Sequence, residues 1–383
     1  MSTLTPEQRQ ILLDGPAGSP PPGQVSNLED PPTEQIVARV TILSFWILCS
    51  ICLFIRLCTK IFVIRRINLS DCNMFLAWGV FMGFLTTAWV SNEVAPAADQ
   101  WNMRLRDLIS LLYYFHAGSI MYGIIIFFIK ASILLQFLEI FMHQGDYFRW
   151  TCHGLIWANF LFYFISTFLE IFACRPLSKA WDLLNTTGSC PVDTNLLNVT
   201  ASSVNALSDL IILVLPQTRI WKLQMARRKK IAVSAVFLVG ALASAASVVR
   251  LAYAVLLFTT HNNVSYFGYL AGLWTIPEIA CGIIAGSLPA TPKFFRSLSR
   301  AILASKWGSS LQTLILNSSQ NPRTPIGATV EGNPAAPIAG DGAQCKKAPD
   351  QYPLTSFASA PGTRHSTSSA ALGTEVAVGD PLS

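Results

Sequence analysis

Seven stretches of this chain are apolar over roughly the 17–25 residues that a helix needs to cross a ~30 Å hydrocarbon core. They run at about 36–57, 71–90, 108–141, 150–173, 199–215, 231–258 and 266–288. Lipid offers no hydrogen bonds to a backbone, so runs of this kind are confined to helices that satisfy their own N–H and C=O groups. The pattern predicts an all-α membrane protein, a seven-transmembrane helix bundle. The third run is longer than a span requires, and its second part, KASILLQFLEIF, should carry the helix beyond the membrane. Only 13% of the residues are charged, about half the usual ~25% of soluble domains. The net charge of +6 does not point to nucleic acid, because Lys and Arg cluster between the apolar runs. The expected partner is the lipid bilayer, in a multi-pass protein of the plasma membrane or an internal membrane.

The basic residues set the expected orientation. Sixteen Lys/Arg fall on one side: Arg56, Lys60, Arg65, Arg66, Lys130, Arg149, Arg219, Lys222, Arg227, Arg228, Lys229, Lys230, Lys293, Arg296, Arg300 and Lys306. Five fall on the other: Arg39, Arg104, Arg106, Arg175 and Lys179. Cytoplasmic loops carry the excess, so the N-terminus should lie outside and the C-terminus in the cytosol. Three organisational units follow. Residues 1–35 are rich in Pro and Gly and read as a disordered tail without a signal-peptide h-region; 36–290 hold the helices; 291–383 read as a disordered cytosolic tail. The knot Arg219, Lys222, Arg227, Arg228, Lys229 and Lys230 becomes a candidate cytosolic contact surface, for anionic lipid or a signalling partner such as a G protein.

The side opposite the basic clusters carries three N-x-[ST] sequons, at Asn185, Asn198 and Asn263, which are candidate N-glycosylation sites. The loop CRPLSKAWDLLNTTGSC on the same side begins with Cys174 and ends with Cys190. An oxidising compartment favours a disulfide between them over two free thiols. No zinc-type spacing links the nine cysteines, so no metal site is expected.

Ionisable residues inside apolar runs are costly and demand a reason. At about 1.5 Å per residue from the outer end, Asp209 lies about 15 Å deep, Arg250 about 12 Å and Glu278 about 18 Å. These three should share one layer that faces the bundle interior, either as a ligand or proton site or as an ion pair that fixes packing. Lys130 reads as a residue near the inner end of the third run that snorkels to the interface. Glu170, near the outer end of the fourth, should be solvated. Pro277 should kink the seventh run close to the charged layer. The seventh run has no lysine, so no retinal cofactor is expected, and no GxxxxGK[ST], GxSxG or HExxH pattern occurs anywhere. The chain is not expected to be an enzyme.

Taken in order, these pieces resemble the fungal rhodopsin-domain family over about residues 36–300. The matching pieces are Lys130-Ala131-Ser132-Ile133-Leu134, Cys174-Arg175-Pro176, Trp181-Asp182, Gly188-Ser189-Cys190, Asp209, Leu215-Pro216, Arg228-Lys229-Lys230, Gly240, Arg250, Trp274, Glu278 and Leu288-Pro289. The chain departs from the family at Glu139, where an arginine is usual. It also has a single Asp71 after Ser70, and no cysteine-rich module precedes the first run. The resemblance implies a receptor-like membrane protein that senses a small molecule or surface cue, in some members tied to secondary-metabolite genes. The alternative is a metabolite transporter or an export or biosynthesis helper.

Overall fold

A computed structural model describes residues 5–304 except 97, 142–145, 221–226 and 261–262, with backbone alone for 218–220, 227–233 and 301–304. Its helices are α1 (Pro6–Asp14), α2 (Gln35–Cys58), α3 (Leu69–Val94), α4 (Leu105–Ile140), α5 (Asp146–Ile171), α6 (Thr194–Ile220), α7 (Arg227–Thr260), α8 (Val264–Ser287) and α9 (Thr291–Ala304). Seven of them, α2 to α8, are long and apolar enough to cross a membrane. Each coincides with one of the seven apolar runs, and the protein is a multi-pass membrane protein with the all-α fold that the pattern predicts.

Neighbours in sequence pack as neighbours around the ring, and α2 closes it against both α3 and α8. α4 also crosses to α8 and is the most buried span. The core between α2, α3, α4 and α8 is built from Cys49, Leu53, Met74, Ala77, Phe81, Ile125, Ile129, Ile279 and Ile283. Lipid removes the hydrophobic drive between helices, so close packing must hold them together, and small residues allow it. Gly123 is one such point. A Cβ there would stand 2.7 Å from Thr167 Oγ1 of α5. At Gly286, any Cβ would collide with the Met74 side chain of α3.

The two ends of the bundle differ. One, the N-face, carries the N-terminal segment. That segment was expected to be disordered, but residues 5–27 are structured. Thr5 and Gln8 form a reciprocal capping box, Pro6 occupies the first turn, and Gly15 ends α1. The segment then joins the α3–α4 loop through Ala17 N–H to Met103 O at 2.9 Å and Leu105 N–H to Gly15 O at 3.0 Å. Asp14 pairs with Arg106, and Arg9 with Asp182. The expectation of disorder averaged Pro and Gly over the whole tail and missed the local TPEQ cap signal.

The other end, the C-face, holds α9 and a π-helical turn, Thr59–Ile64, that extends α2. α9 starts inside the stretch expected to be a disordered tail. α6 runs on through Pro216, where the fifth apolar run was expected to end. Of the basic knot, Lys222 lies outside the described residues. Arg219, Arg227, Arg228, Lys229 and Lys230 have only their helical backbone described.

Candidate functional site

The ionisable residues within the spans assemble into one buried network, and its wiring differs from the expected trio. Arg250 Nε meets Glu278 Oε2 at 2.8 Å, so α7 and α8 are joined by an ion pair. Asp209 does not pair with Arg250. Its Oδ1 meets Lys130 Nζ at 2.9 Å. Lys130 is 3% exposed and also donates to the Asn205 carbonyl at 3.1 Å, the Tyr163 hydroxyl at 3.3 Å and Ser208 Oγ. The snorkelling expected of Lys130 is therefore corrected. Its ammonium is turned into the bundle and enclosed by α5 and α6 rather than directed along α4 to the interface. A carboxylate at its own level takes its place as partner.

Asn205 joins the two ion pairs. Its Nδ2 donates to Glu278 Oε1 at 2.6 Å and to Ser247 Oγ at 3.0 Å, and lies 3.3 Å from Asp209 Oδ2. Its Oδ1 accepts from Tyr163 at 2.8 Å. The Tyr122 hydroxyl donates to Glu278 Oε1 at 2.9 Å and accepts from Arg250, whose Nη1 also donates to Ser202 Oγ at 3.0 Å. Two cations and two anions balance in this layer. That balance is what lets four charges persist at membrane depth, where a lone one costs about 2.5–3.5 kcal/mol on insertion scales. The sequence supplied all four charges. It gave no sign of Asn205, Tyr122 or Tyr163, whose polar tips look like ordinary helix residues.

Above the layer, toward the N-face, lies a cavity of about 220 Å³. Its walls are mostly apolar, with Phe84, Leu108, Leu112, Phe115, Leu257 and Ile276 among them. Ala95, Pro96, Ala98 and Met103 of the α3–α4 loop line it near the N-face, and Tyr122, Ser202 and Arg250 line it where it meets the charged layer. Glu170 and His116 face each other across one wall, 3.6 Å apart. Glu170 is 6% exposed, so the solvated placement expected for it is corrected. The end of α5 is covered by the following loop, whose Ala180 reaches the cavity and whose Trp181 ring lies 5.8 Å from His116.

That loop is closed by the expected disulfide between Cys174 and Cys190. Beside it, Arg175 and Ser189 exchange both backbone hydrogen bonds at 2.9 Å. Gly188 has φ +81, and a Cβ there would collide with the Arg175 carbonyl, so the turn needs glycine. The three sequons have distinct settings. Asn185 lies in this loop, with its Oδ1 accepting from Thr187 N–H at 3.0 Å. Asn198 lines the cavity. Asn263 donates its amide to Asp99 at 2.6 Å and accepts from Gln100 N–H at 3.1 Å, tying the start of α8 to the α3–α4 loop.

A second charged cluster near the C-face went unseen in the sequence. Asp71 begins α3, where its Oδ2 accepts from Asn68 N–H at 3.0 Å. The same carboxylate meets Arg56 at 2.7 Å and Lys60 at 2.8 Å. Arg56 also donates to Ser70 Oγ and to the Gly286 carbonyl, in the last turn of α8. The negative end of that helix dipole suits the second cation. Arg56, Lys60 and Lys130 thus leave the set of loop charges, and the basic bias falls to thirteen against five. No group of three or more His, Cys, Asp or Glu able to hold a metal occurs among the described residues.

Comparison with known proteins agrees with this architecture. The chain is 28% identical to fugralins biosynthesis cluster protein 2 of Gibberella zeae, over 75% of this chain and 72% of that protein. It is 37% identical to an SAT4 family membrane protein of Emericella nidulans, over 52% and 50%. A polyenoic acids biosynthesis gene cluster protein of Metarhizium anisopliae is 23% identical over 44% and 45%. The chain thus spans about half the length of the last two. No solved structure matches. The fungal rhodopsin domain matches residues 55–297, from the last turn of α2 into α9, and the chain belongs to that family.

Proposed function

We propose that this protein is a receptor-like membrane protein that binds a small molecule in the N-face cavity and passes its presence to the C-face. The observation that carries this reading is a cavity walled off on one side. Its deep end meets Arg250, Tyr122 and Ser202, and the two ion pairs close the bundle beneath. A ligand there touches Arg250 and Tyr122, which both reach Glu278 in the charged layer. Two relatives are named for the biosynthesis of fugralins and polyenoic acids, which supports a ligand drawn from secondary metabolism. The thirteen-to-five basic bias and the disulfide at the N-face support an N-out, C-in topology. The plasma membrane is its expected seat. The basic knot is then the contact for a cytosolic partner such as a G protein. No catalytic motif occurs in the sequence and α8 carries no lysine, so the reading invokes neither enzyme activity nor retinal.

The test is a split-reporter assay with a Gα subunit, comparing wild type with a variant in which Arg219, Lys222, Arg227, Arg228, Lys229 and Lys230 are neutralised together. Coupling should be lost in the variant. Unchanged coupling sinks the receptor reading. A second reading, proton-coupled transport, draws on the continuous hydrogen-bonded chain from Lys130 through Asp209 and Asn205 to Glu278. It requires substrate flux in proteoliposomes that Asp209→Asn abolishes.

A further inference from the structure

We infer that the cavity selects a neutral, apolar molecule carrying a hydroxyl group, and that this hydroxyl bridges Glu170 and His116. The inference rests on the small-molecule reading above and names the class of ligand.

The argument starts from an incomplete contact. Glu170 is 94% withdrawn from solvent, being 6% exposed, yet among the described residues no hydrogen bond reaches its carboxylate. Its ion-pair partner is His116, whose Nδ1 stands 3.6 Å from Oε1, too long for a hydrogen bond. Buried carboxylates are almost always satisfied. Here the carboxylate lines a cavity large enough for a ligand, so the missing donor can come from one. His116 is held in place by the disulfide loop, with the Trp181 ring 5.8 Å away and Trp181 itself against Tyr113 at 5.2 Å.

Charge then narrows the class. Arg250 and Glu170 are the cavity's only Arg, Lys, Asp or Glu among its lining residues. A carboxylate ligand can accept from His116 but has no donor for Glu170, and an ammonium ligand can donate to Glu170 but has no lone pair for a His116 N–H. A hydroxyl is the small neutral group that donates and accepts at once. It can donate to Glu170 and accept from an N–H of His116 across the gap, while the remainder of the molecule covers Phe84, Leu112 and Phe115.

Four probes built on a straight decyl-length chain test this by isothermal titration of the wild-type protein in nanodiscs, with empty nanodiscs subtracted. They are 1-decanol, decyl methyl ether, decylamine and decanoate. The alcohol should bind about tenfold more tightly than the ether, which cannot donate, since a hydrogen bond to a charged group supplies at least that ratio. It should also bind more tightly than the amine or the acid anion. In Glu170→Leu the alcohol-to-ether ratio should fall to near one while ether binding persists. His116→Phe, a second variant, should reduce the same ratio. Equal binding of alcohol and ether to wild type, or preference for either charged probe, overturns the hydroxyl inference and leaves the cavity reading standing. Binding of none of the four to folded wild type overturns both.

Discussion

The wiring of the charged layer makes a rescue experiment decisive. Four single variants each strip one charge: Lys130→Met, Asp209→Asn, Arg250→Leu and Glu278→Gln. Among the described residues, Lys130→Met leaves the Asp209 carboxylate with Ser247 Oγ at 2.9 Å and Asn205 Nδ2 at 3.3 Å as donors. Arg250→Leu leaves Glu278 with Tyr122 at 2.9 Å and Asn205 at 2.6 Å. Removing one partner of a buried pair costs about 3–5 kcal/mol. The hydrogen bonds that remain to Glu278 are shorter than those to Asp209, so Lys130→Met should be the more damaging of these two. Neutralising both members of a pair removes the stranded charge. Lys130→Met with Asp209→Asn should therefore recover about 2 kcal/mol or more of the summed single losses, and Arg250→Leu with Glu278→Gln should do the same. The crossed combination, Arg250→Leu with Asp209→Asn, should show little coupling. Equilibrium unfolding in mixed SDS–detergent micelles measures all of these terms. If Asp209→Asn rescues Arg250→Leu better than it rescues Lys130→Met, the pairing argued here is refuted.

Three further outcomes are expected. Near the C-face, Asp71 balances two cations, so Asp71→Asn should cost about 3–5 kcal/mol, whereas Lys60→Met, which leaves the Arg56–Asp71 pair intact, should cost about 1 kcal/mol; the same unfolding assay checks the order. Replacing Cys174 and Cys190 with Ser should lower stability by roughly 3 kcal/mol in the chain-entropy account of a loop this size, and should weaken probe binding by releasing Trp181 from His116. Of the three sequons, Asn185 should carry the glycan, because its amide makes only a 3.2 Å bond to the Ser178 hydroxyl within its own loop, whereas Asn198 lines the cavity and the Asn263 amide is held by the Asp99 carboxylate at 2.6 Å. An endoglycosidase-sensitive gel shift should thus vanish in Asn185→Gln and persist in Asn263→Gln.

Much of the fold was legible in the sequence because lipid imposes it. A run of apolar residues in a bilayer has one cheap backbone solution, so hydropathy alone located seven helices to within a few residues at most of their ends. The disulfide was legible for a related reason: two cysteines close in sequence on one side of the membrane have few other partners. The candidate site was legible only in part. Asp209, Arg250 and Glu278 stood out because charge inside an apolar run is rare. Depth counted along each sequence assigned them to one layer, and in the structure Asn205 links Asp209 to the Arg250–Glu278 pair. Which charge pairs with which depends on helix rotation, and on the overhang of α4, whose 36 residues extend about 54 Å; neither is written in local pattern.

The same division holds for the cavity and the tails. Glu170 near a span end reads as solvated by default, and only the covering loop with Trp181 turns it into a buried wall of the cavity. Arg56 and Lys60 read as topology signals until α3 and α8 bring Asp71 and the Gly286 carbonyl against them. By itself, then, the sequence determined the class of protein, the number of helices and three of the four charges of the buried layer, because these follow from what one segment can do in lipid. The tertiary structure decided the pairing of those charges, the cavity above them and the burial of Glu170 against His116, because each depends on side chains from separate helices and loops meeting at one depth.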